Sequence, residues 1–208
     1  LGKGNNAGDA LVAARFLLDR GWTVWARLAF GVADFNELPA RHWKSLAPRI
    51  SVVDSPDMIA ELDGIVVLLD GLLGIGGAGP LQGALAAAVV EMNGLRHARQ
   101  AAIVALDLPS GLESPAGVQA DCTVTVGHVK DILLEDQAAG CVGRLAVVPL
   151  RALSGASGDA TRRVLTPRLL LPMLPRRPFD FHKGDAGHAG IVAGSRGFLG
   201  AAVLCATG

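Results

Sequence analysis

Two stretches without a polar side chain, Ile65 to Leu69 and Ala101 to Leu106, each run straight into an aspartate, Asp70 and Asp107. A continuous aliphatic run of this length marks a strand covered on both faces, and such strands belong to parallel sheets flanked by helices. The segments around them alternate accordingly. Asp9 to Arg20 repeats Leu11, Ala14, Leu17 and Leu18 at helical spacing and stops at Gly21, and Trp22 to Phe30 reads as a strand. Asn36 caps a helix running to about Ala47, Ile50 to Val53 is a short strand, and Pro56 to Leu62 is a short helix. Beyond the glycine-rich loop 71–79, Pro80 suits a first helical turn and Ala84 to Met92 continues it. Cys122 to Val126 and Gly143 to Val148 read as further strands. The expected fold class is α/β, a three-layer Rossmann-like sandwich with a mostly parallel central sheet.

From Arg151 to Asp180 the texture changes to Ser, Gly, Arg and Pro, the composition of a linker holding one short helix. A second apolar pattern follows, with Ala189 to Ala193 as a strand and Leu199 to Ala206 as a helix. The expected division is a domain over 1–150, a linker over 151–181 and the start of another domain over 182–208. The 19 basic and 19 acidic side chains cancel, which removes the electrostatic footprint expected for a nucleic-acid or anionic-membrane partner. Gly64 to Met92 is the most apolar stretch, but Asp70, Pro80 and several glycines interrupt it, so it is a poor membrane span. Three cysteines with no Cys-x-x-Cys spacing support neither a disulfide framework nor a cysteine zinc site, and imply a reducing, cytoplasmic setting. The chain opens without Met or a signal-peptide pattern and ends inside an apolar pattern, as a piece of a longer protein would. A small-molecule ligand is the favoured partner, and self-association is left open.

In an open parallel sheet, ligands bind beyond the carboxyl ends of the strands. Three segments converge there: Gly2 to Asp9, Asp70 to Pro80, and Asp107 to Gly111. The first is a glycine- and asparagine-rich turn feeding a helix, suited to receiving phosphate oxygens on backbone amides, or else an ordinary turn with Asp9 as the helix cap. The second contains Gly74-x-Gly76-x-x-Gly79, the form of a dinucleotide fingerprint. It departs from that motif because Asp70 to Leu73 separate the strand from its first glycine, and Asp107 lies too far on to be its acidic partner. The segment is either a loop that lets a ligand approach the backbone or a plain surface loop. The third places Asp107 at the end of a buried strand as the acid–base candidate, against the alternative of an Asx-turn bonding to the amide of Ser110 or Gly111. Asn6, Asp70 and Ser110 offer oxygen, the ligand type of a hard cation, whereas the five histidines share no metal-ligand spacing.

Three blocks, Gly2 to Asp9, Asp70 to Gly76 and Ala105 to Leu112, resemble in order the signature segments of the NAD(P)H-hydrate epimerase family, the YjeF N-terminal domain. Ala120 to Lys130 is similar to that family's next segment. The tail, His182 to His188 with Gly194 to Gly197 and Gly200 to Ala202, resembles the opening of an ADP-dependent NAD(P)H-hydrate dehydratase, a ribokinase-like α/β domain. The resemblance implies interconversion of the R and S forms of hydrated NADH and NADPH by one half of a bifunctional repair enzyme, with dehydratase activity expected only of the longer protein. It implies Asp107 as catalytic acid–base, and a substrate site of Asn5, Asn6, Ala7, Gly8 and Asp9 with Gly74, Ile75, Gly76, Gly77, Ala78, Gly79 and Pro80. It also implies a potassium ion (K+) on Asn6, Asp70 and Ser110. Ala7 stands where the family usually has glycine, a source of strain if that residue needs positive φ. The family's N-terminal helices and most of its first central strand would precede Leu1. The alternatives to an epimerase are a non-catalytic nucleotide-binding or protein-interaction module on the same fold, and an NAD(P)-dependent oxidoreductase using Gly74 to Gly79.

Overall fold

The computed structural model of the 208-residue chain describes residues 1–55, 57–60, 63–77, 80–150, 164–174 and 176–207. It divides into two units, Leu1–Ala160 and Thr161–Gly208. In the first unit β1 (Trp25–Ala26) pairs with β2 (Ser51–Val52), and β3 (Val67–Asp70), β4 (Ala102–Leu106), β5 (Cys122–Val126) and β6 (Arg144–Val148) pair in that order. Every pairing is parallel. Helices make the crossovers: α1 (Asn5–Leu18) leads to β1, α2 (Glu37–Leu46) to β2, α3 (Asp57–Ala60) to β3, α4 (Gly83–Arg99) to β4 and α5 (Ala139–Val142) to β6. The expected parallel α/β architecture is therefore present.

Leu1 and Gly2 lie between the two ladders. The Leu1 amine donates to the Arg27 carbonyl at 2.6 Å, the Leu1 carbonyl accepts from the Ala29 amide at 3.0 Å, and the Gly2 amide donates to the Gly71 carbonyl at 3.0 Å. The chain thus runs outward in both directions from residues 1–2, to β1 and β2 on one side and to β3 through β6 on the other. That reversal is the switch point of an open parallel sheet, beside which ligand crevices form. Gly2 has to be glycine here, because an added Cβ would stand 2.0 Å from the Leu72 carbonyl oxygen.

A cavity of about 490 Å³ separates β1 from β3, lined by aliphatic side chains such as Leu11, Ala14, Val67, Leu69 and Met92. It explains two departures from the sequence reading. Trp22 to Phe30 pairs only at Trp25 and Ala26, and the run Ile65 to Leu69 is not covered on both faces, with Val67 38% exposed. β4, flanked by strands on both sides, is covered on one face, where Ile103 and Ala105 are wholly buried and pack with Ala88 and Val89 of α4; on the other, Val104 is half-buried and borders the same cavity. A second cluster, Leu11, Ala14, Ala26, Phe35, Trp43, Leu46 and Ile50, fixes α1 against α2 and β1.

In the second unit α6 (Pro167–Leu170) is the expected short linker helix and α7 (Gly200–Thr207) the expected terminal one. Ala189 to Ala193 forms no strand. Val192 is fully exposed and the nearest ladder contact is a single Ser195–Phe198 bridge, so the segment lacks the neighbour that stabilises a strand. Among the described residues no helix is long and apolar enough to cross a membrane.

Candidate active site

The N-terminus of α1 and the loops after β3, β4 and β5 meet beside the switch point. α1 begins at Asn5 with Gly4 as an extended N-cap, so Asn5 to Asp9 is helix and not a turn leading into one, and Asp9 is not the cap. Two asparagines and Gly8 are poor helix formers. Their preference is outweighed by the burial of Ala7, Ala10 and Leu11, none more than 2% exposed. Ala7 is absent from the residues with positive φ, so the strain expected of a non-glycine residue there does not arise. No side chain caps the first amides and no acid sits in the first turn, which leaves the positive end of the helix uncompensated. Ala7 and Gly8 face the core, while Asn5 and Asp9, one turn apart, lie on the exposed side.

Asp70 is fully buried and accepts three hydrogen bonds: at Oδ1 from the Leu72 amide (3.1 Å) and the Ser110 hydroxyl (2.7 Å), and at Oδ2 from the Ser110 amide (2.7 Å). Burial pushes its carboxyl above the usual range, and the bonds from Ser110 and Leu72 oppose that rise. Leu73 ties this pair to Asn6, donating its amide to Ser110 Oγ at 2.9 Å while its carbonyl accepts from Asn6 Nδ2 at 2.7 Å. Asn6 Oδ1 is buried and has no hydrogen-bond partner among the described residues. An unpartnered carbonyl-type oxygen close to a buried carboxylate and a hydroxyl fits a hard cation of low charge. Among the described residues there is no cluster of three or more His, Cys, Asp or Glu that could hold a metal.

Asp107 ends β4 with φ +66, and the Leu108 amide donates to the Leu106 carbonyl across it at 2.9 Å. This is a γ-turn with positive φ at its centre, the strained hand of that turn. Its carboxylate does not make the Asx-turn that is the alternative to an acid–base role, because the Ser110 amide is committed to Asp70. It turns instead toward β5. Oδ1 takes a hydrogen bond from Lys130 Nζ and long ones, 3.4 Å each, from Thr125 Oγ1 and the Val126 amide. Oδ2 has no hydrogen bond from any described residue and lies toward Gly74: a Cβ added there would stand 3.7 Å from this oxygen and 3.4 Å from Asn6 Cβ. Asp9 completes the group. Although Asp9 reaches solvent, partial desolvation raises its carboxyl above the ordinary value, the negative charge of Asp107 raises it further, and His42 opposes both.

Gly74 is half-buried between Asn6 and Asp107, and the Gly77 amide closes a turn on its carbonyl at 2.9 Å. Ile75, Gly76 and Gly77 are exposed, and with Leu108, Pro109 and Ile132 the loop walls a cleft of about 150 Å³. Pro80 is exposed and stands before α4, not in its first turn, since the helix starts at Gly83 after an extended Gln82. Ala78 and Gly79 lie outside the described residues. Lys130 and Thr125 belong to no motif singled out by spacing. The one signal that could have found them was the block Ala120 to Lys130, noted for its resemblance but assigned no role.

An open parallel sheet with carboxylates and helix amides at its switch point defines a Rossmann-like α/β domain with polar groups gathered where such folds bind ligands. Residues 1–132 match the family described as YjeF-related protein N-terminus, and the chain belongs to that family. It is 34% identical over 216 residues to a bifunctional NAD(P)H-hydrate repair enzyme of Thermofilum pendens, which covers 98% of this chain and 40% of that protein. Similar proteins with the same description occur in Moorella thermoacetica (34% over 223 residues, 99% of this chain and 41% of that one) and Leishmania major (34% over 225 residues, 99% and 39%). The chain thus spans about two fifths of the length of these curated relatives. The crystal structure of yeast ynu0 superposes with a TM-score of 0.57 at 16% identity, covering 80% of this chain and 72% of that one, and shares the fold.

Proposed function

We propose that the protein carrying this chain interconverts the R and S forms of hydrated NADH and NADPH, and that residues 1–150 are its epimerase domain. In this reading 151–181 is a linker and 182–208 opens an ADP-dependent dehydratase domain. The observation that carries the proposal is Asp107: a strained, half-buried carboxylate with one oxygen held and the other unbonded, facing Gly74 and Asn6.

The substrate's stereocentre bears a hydroxyl on a carbon bonded to the ring nitrogen. Inversion at such a carbon needs no redox step. Asp107 Oδ2 takes the hydroxyl proton, the carbon–oxygen double bond forms, and the carbon–nitrogen bond opens with its electron pair passing to the nitrogen, which then receives the proton. Rotation of the freed carbonyl and closure from its other face reverse each transfer and give the other epimer. A positioned carboxylate contributes about 10²–10⁴-fold to transfers of this kind. The free amides of Asn5 and Asn6 at the α1 N-terminus suit the substrate's pyrophosphate, which the backbone of Gly74 to Gly77, the described part of the loop Gly74 to Pro80, would also approach. Asn6 Oδ1, Asp70 and Ser110 Oγ would hold a potassium ion, whose charge would offset those of Asp70 and the pyrophosphate.

The test is to give the whole protein a single epimer of NADH hydrate and follow the appearance of the other by chromatography, with unmodified NADH and NAD in parallel. Equilibration faster than the uncatalysed rate, with no change in the unmodified nucleotides, is the expected result. Hydride transfer with the unmodified pair, or binding of the hydrate without equilibration, would overturn it.

A further inference from the structure

Lys130 follows a second γ-turn, at the end of β5, where the His128 amide donates to the Val126 carbonyl across Gly127 (φ +78). β4 and β5 are adjacent and parallel, so this turn stands beside the one centred on Asp107 and returns the chain over it. The Lys130 side chain is only 18% exposed. An ammonium group has three donors. All three are used inside the protein: one on Asp107 Oδ1, one on Thr125 Oγ1 at 2.9 Å and one on the Val126 carbonyl at 2.9 Å. No donor remains for a ligand, and the bonds to Thr125 and Val126 fix the ammonium relative to the end of β5. The Asp107 carboxylate is thereby held from one side only, through Oδ1.

We infer that Lys130 is the positioning residue for Asp107, anchoring Oδ1 to the end of β5 so that Oδ2 alone faces the reacting atoms beside Gly74. The inference rests on the proposed epimerase reading, and its geometry accounts for three observations together. The ammonium is consumed internally although it lies at the site. The two carboxylate oxygens have unequal partners. The strained turn at Asp107 aims its side chain across to the neighbouring strand, where Lys130 and Thr125 receive it. A surface lysine serving only to balance charge would satisfy none of its donors on β5.

The experiment compares wild type with Lys130→Met in the whole protein, and with Lys130→Gln should the Met variant fail to fold. Loss of a positioning contact lowers kcat by about 100-fold with KM within about twofold, because a misplacement of about 1 Å is worth that much in a proton-transfer step. Added methylammonium restores part of the kcat of Lys130→Ala, where the shortened side chain leaves room for it. Wild-type kcat in the variant, or a rise in KM alone, overturns the positioning role. An inactive wild type instead overturns the epimerase reading. In that case the carbon-13 carboxyl resonance of Asp107, assigned by its loss in Asp107→Asn, still decides the positioning: it shifts or broadens in Lys130→Met if Lys130 orients the carboxylate, and an unchanged resonance overturns the inference.

Discussion

Replacing Asp70 by Asn separates two accounts of this buried carboxylate. Asp70 is wholly inaccessible and receives three hydrogen bonds from neutral donors. Hydrogen bonds to a charged acceptor are worth about 1.5–3 kcal/mol each, so the three supply about 5–9 kcal/mol against desolvation. Its carboxyl is nevertheless raised by burial, so desolvation prevails over these bonds and over the charge of the Leu1 ammonium, and the ionised form is costly without a further positive charge. Asn keeps the shape, but its NH2 group cannot accept, so a backbone donor that Asp70 satisfies is left facing it at a cost of about 1–3 kcal/mol. Without alkali cations at neutral pH, removal of the desolvated charge offsets much of that cost, and Asp70→Asn is expected to lose no more than about 2 kcal/mol, short of the loss of about 3–5 kcal/mol that follows breaking a buried ion pair. With potassium at about 100 times its dissociation constant, wild type gains about 2.7 kcal/mol and the variant gains nothing. The pH dependence has a definite sign. A carboxyl raised in the folded state contributes stability that is complete below the ordinary aspartate value and is lost as pH rises through the folded value, and this slope disappears in the variant. Urea unfolding followed by tryptophan fluorescence reports on the right unit, since Trp22, Trp25 and Trp43 all lie in Leu1–Ala160. The chloride salts of potassium and tetramethylammonium supply the two conditions. A loss of more than about 3 kcal/mol in tetramethylammonium, or an equal potassium response in both proteins, would refute the reasoning.

Three further outcomes follow from the same geometry. Gly71→Ala places a Cβ 2.5 Å from Ala10 Cβ where α1 crosses the end of β3, and should cost about 1–3 kcal/mol in the same unfolding measurement. Asn6→Ala removes the bond to Leu73 and the unpartnered oxygen; it should cost about 1 kcal/mol in tetramethylammonium and abolish the potassium response. Asp9→Asn should flatten the part of the stability–pH curve just above the ordinary aspartate value, since the raised Asp9 carboxyl loses its contribution as pH rises through that window.

The parts of the fold legible in the sequence are those whose pattern reflects a complete environment. Ala102–Leu106 and Cys122–Val126 have strands on both sides, and their expected bounds agree within a residue; the helix after Asn36 likewise begins and ends close to expectation. The failures occur where local preference and surroundings diverge. Gly4 to Gly8 has the composition of a turn, yet Ala7 and Leu11 are drawn into the core and the helix starts four residues early. Ile65 to Leu69 has the composition of a doubly covered strand but borders the cavity beside β1, so its burial is incomplete. At the candidate site, the strand-end aspartates could be read from sequence because each interrupts an aliphatic run. Their different partners could not. Asp70 takes the Ser110 amide that an Asx-turn would have given to Asp107, and Asp107 takes a lysine 23 residues further along the chain, a pairing created by the parallel register of β4 and β5.

The most direct test of the account is the rate of R-to-S equilibration of NADH hydrate by the whole protein carrying Asp107→Asn, a substitution that keeps the side chain's size and its tolerance of positive φ. The account predicts a protein that folds and binds the hydrate as wild type does but has lost at least about 100-fold in kcat. Equilibration at the wild-type rate would show that the proton passes elsewhere and would contradict it.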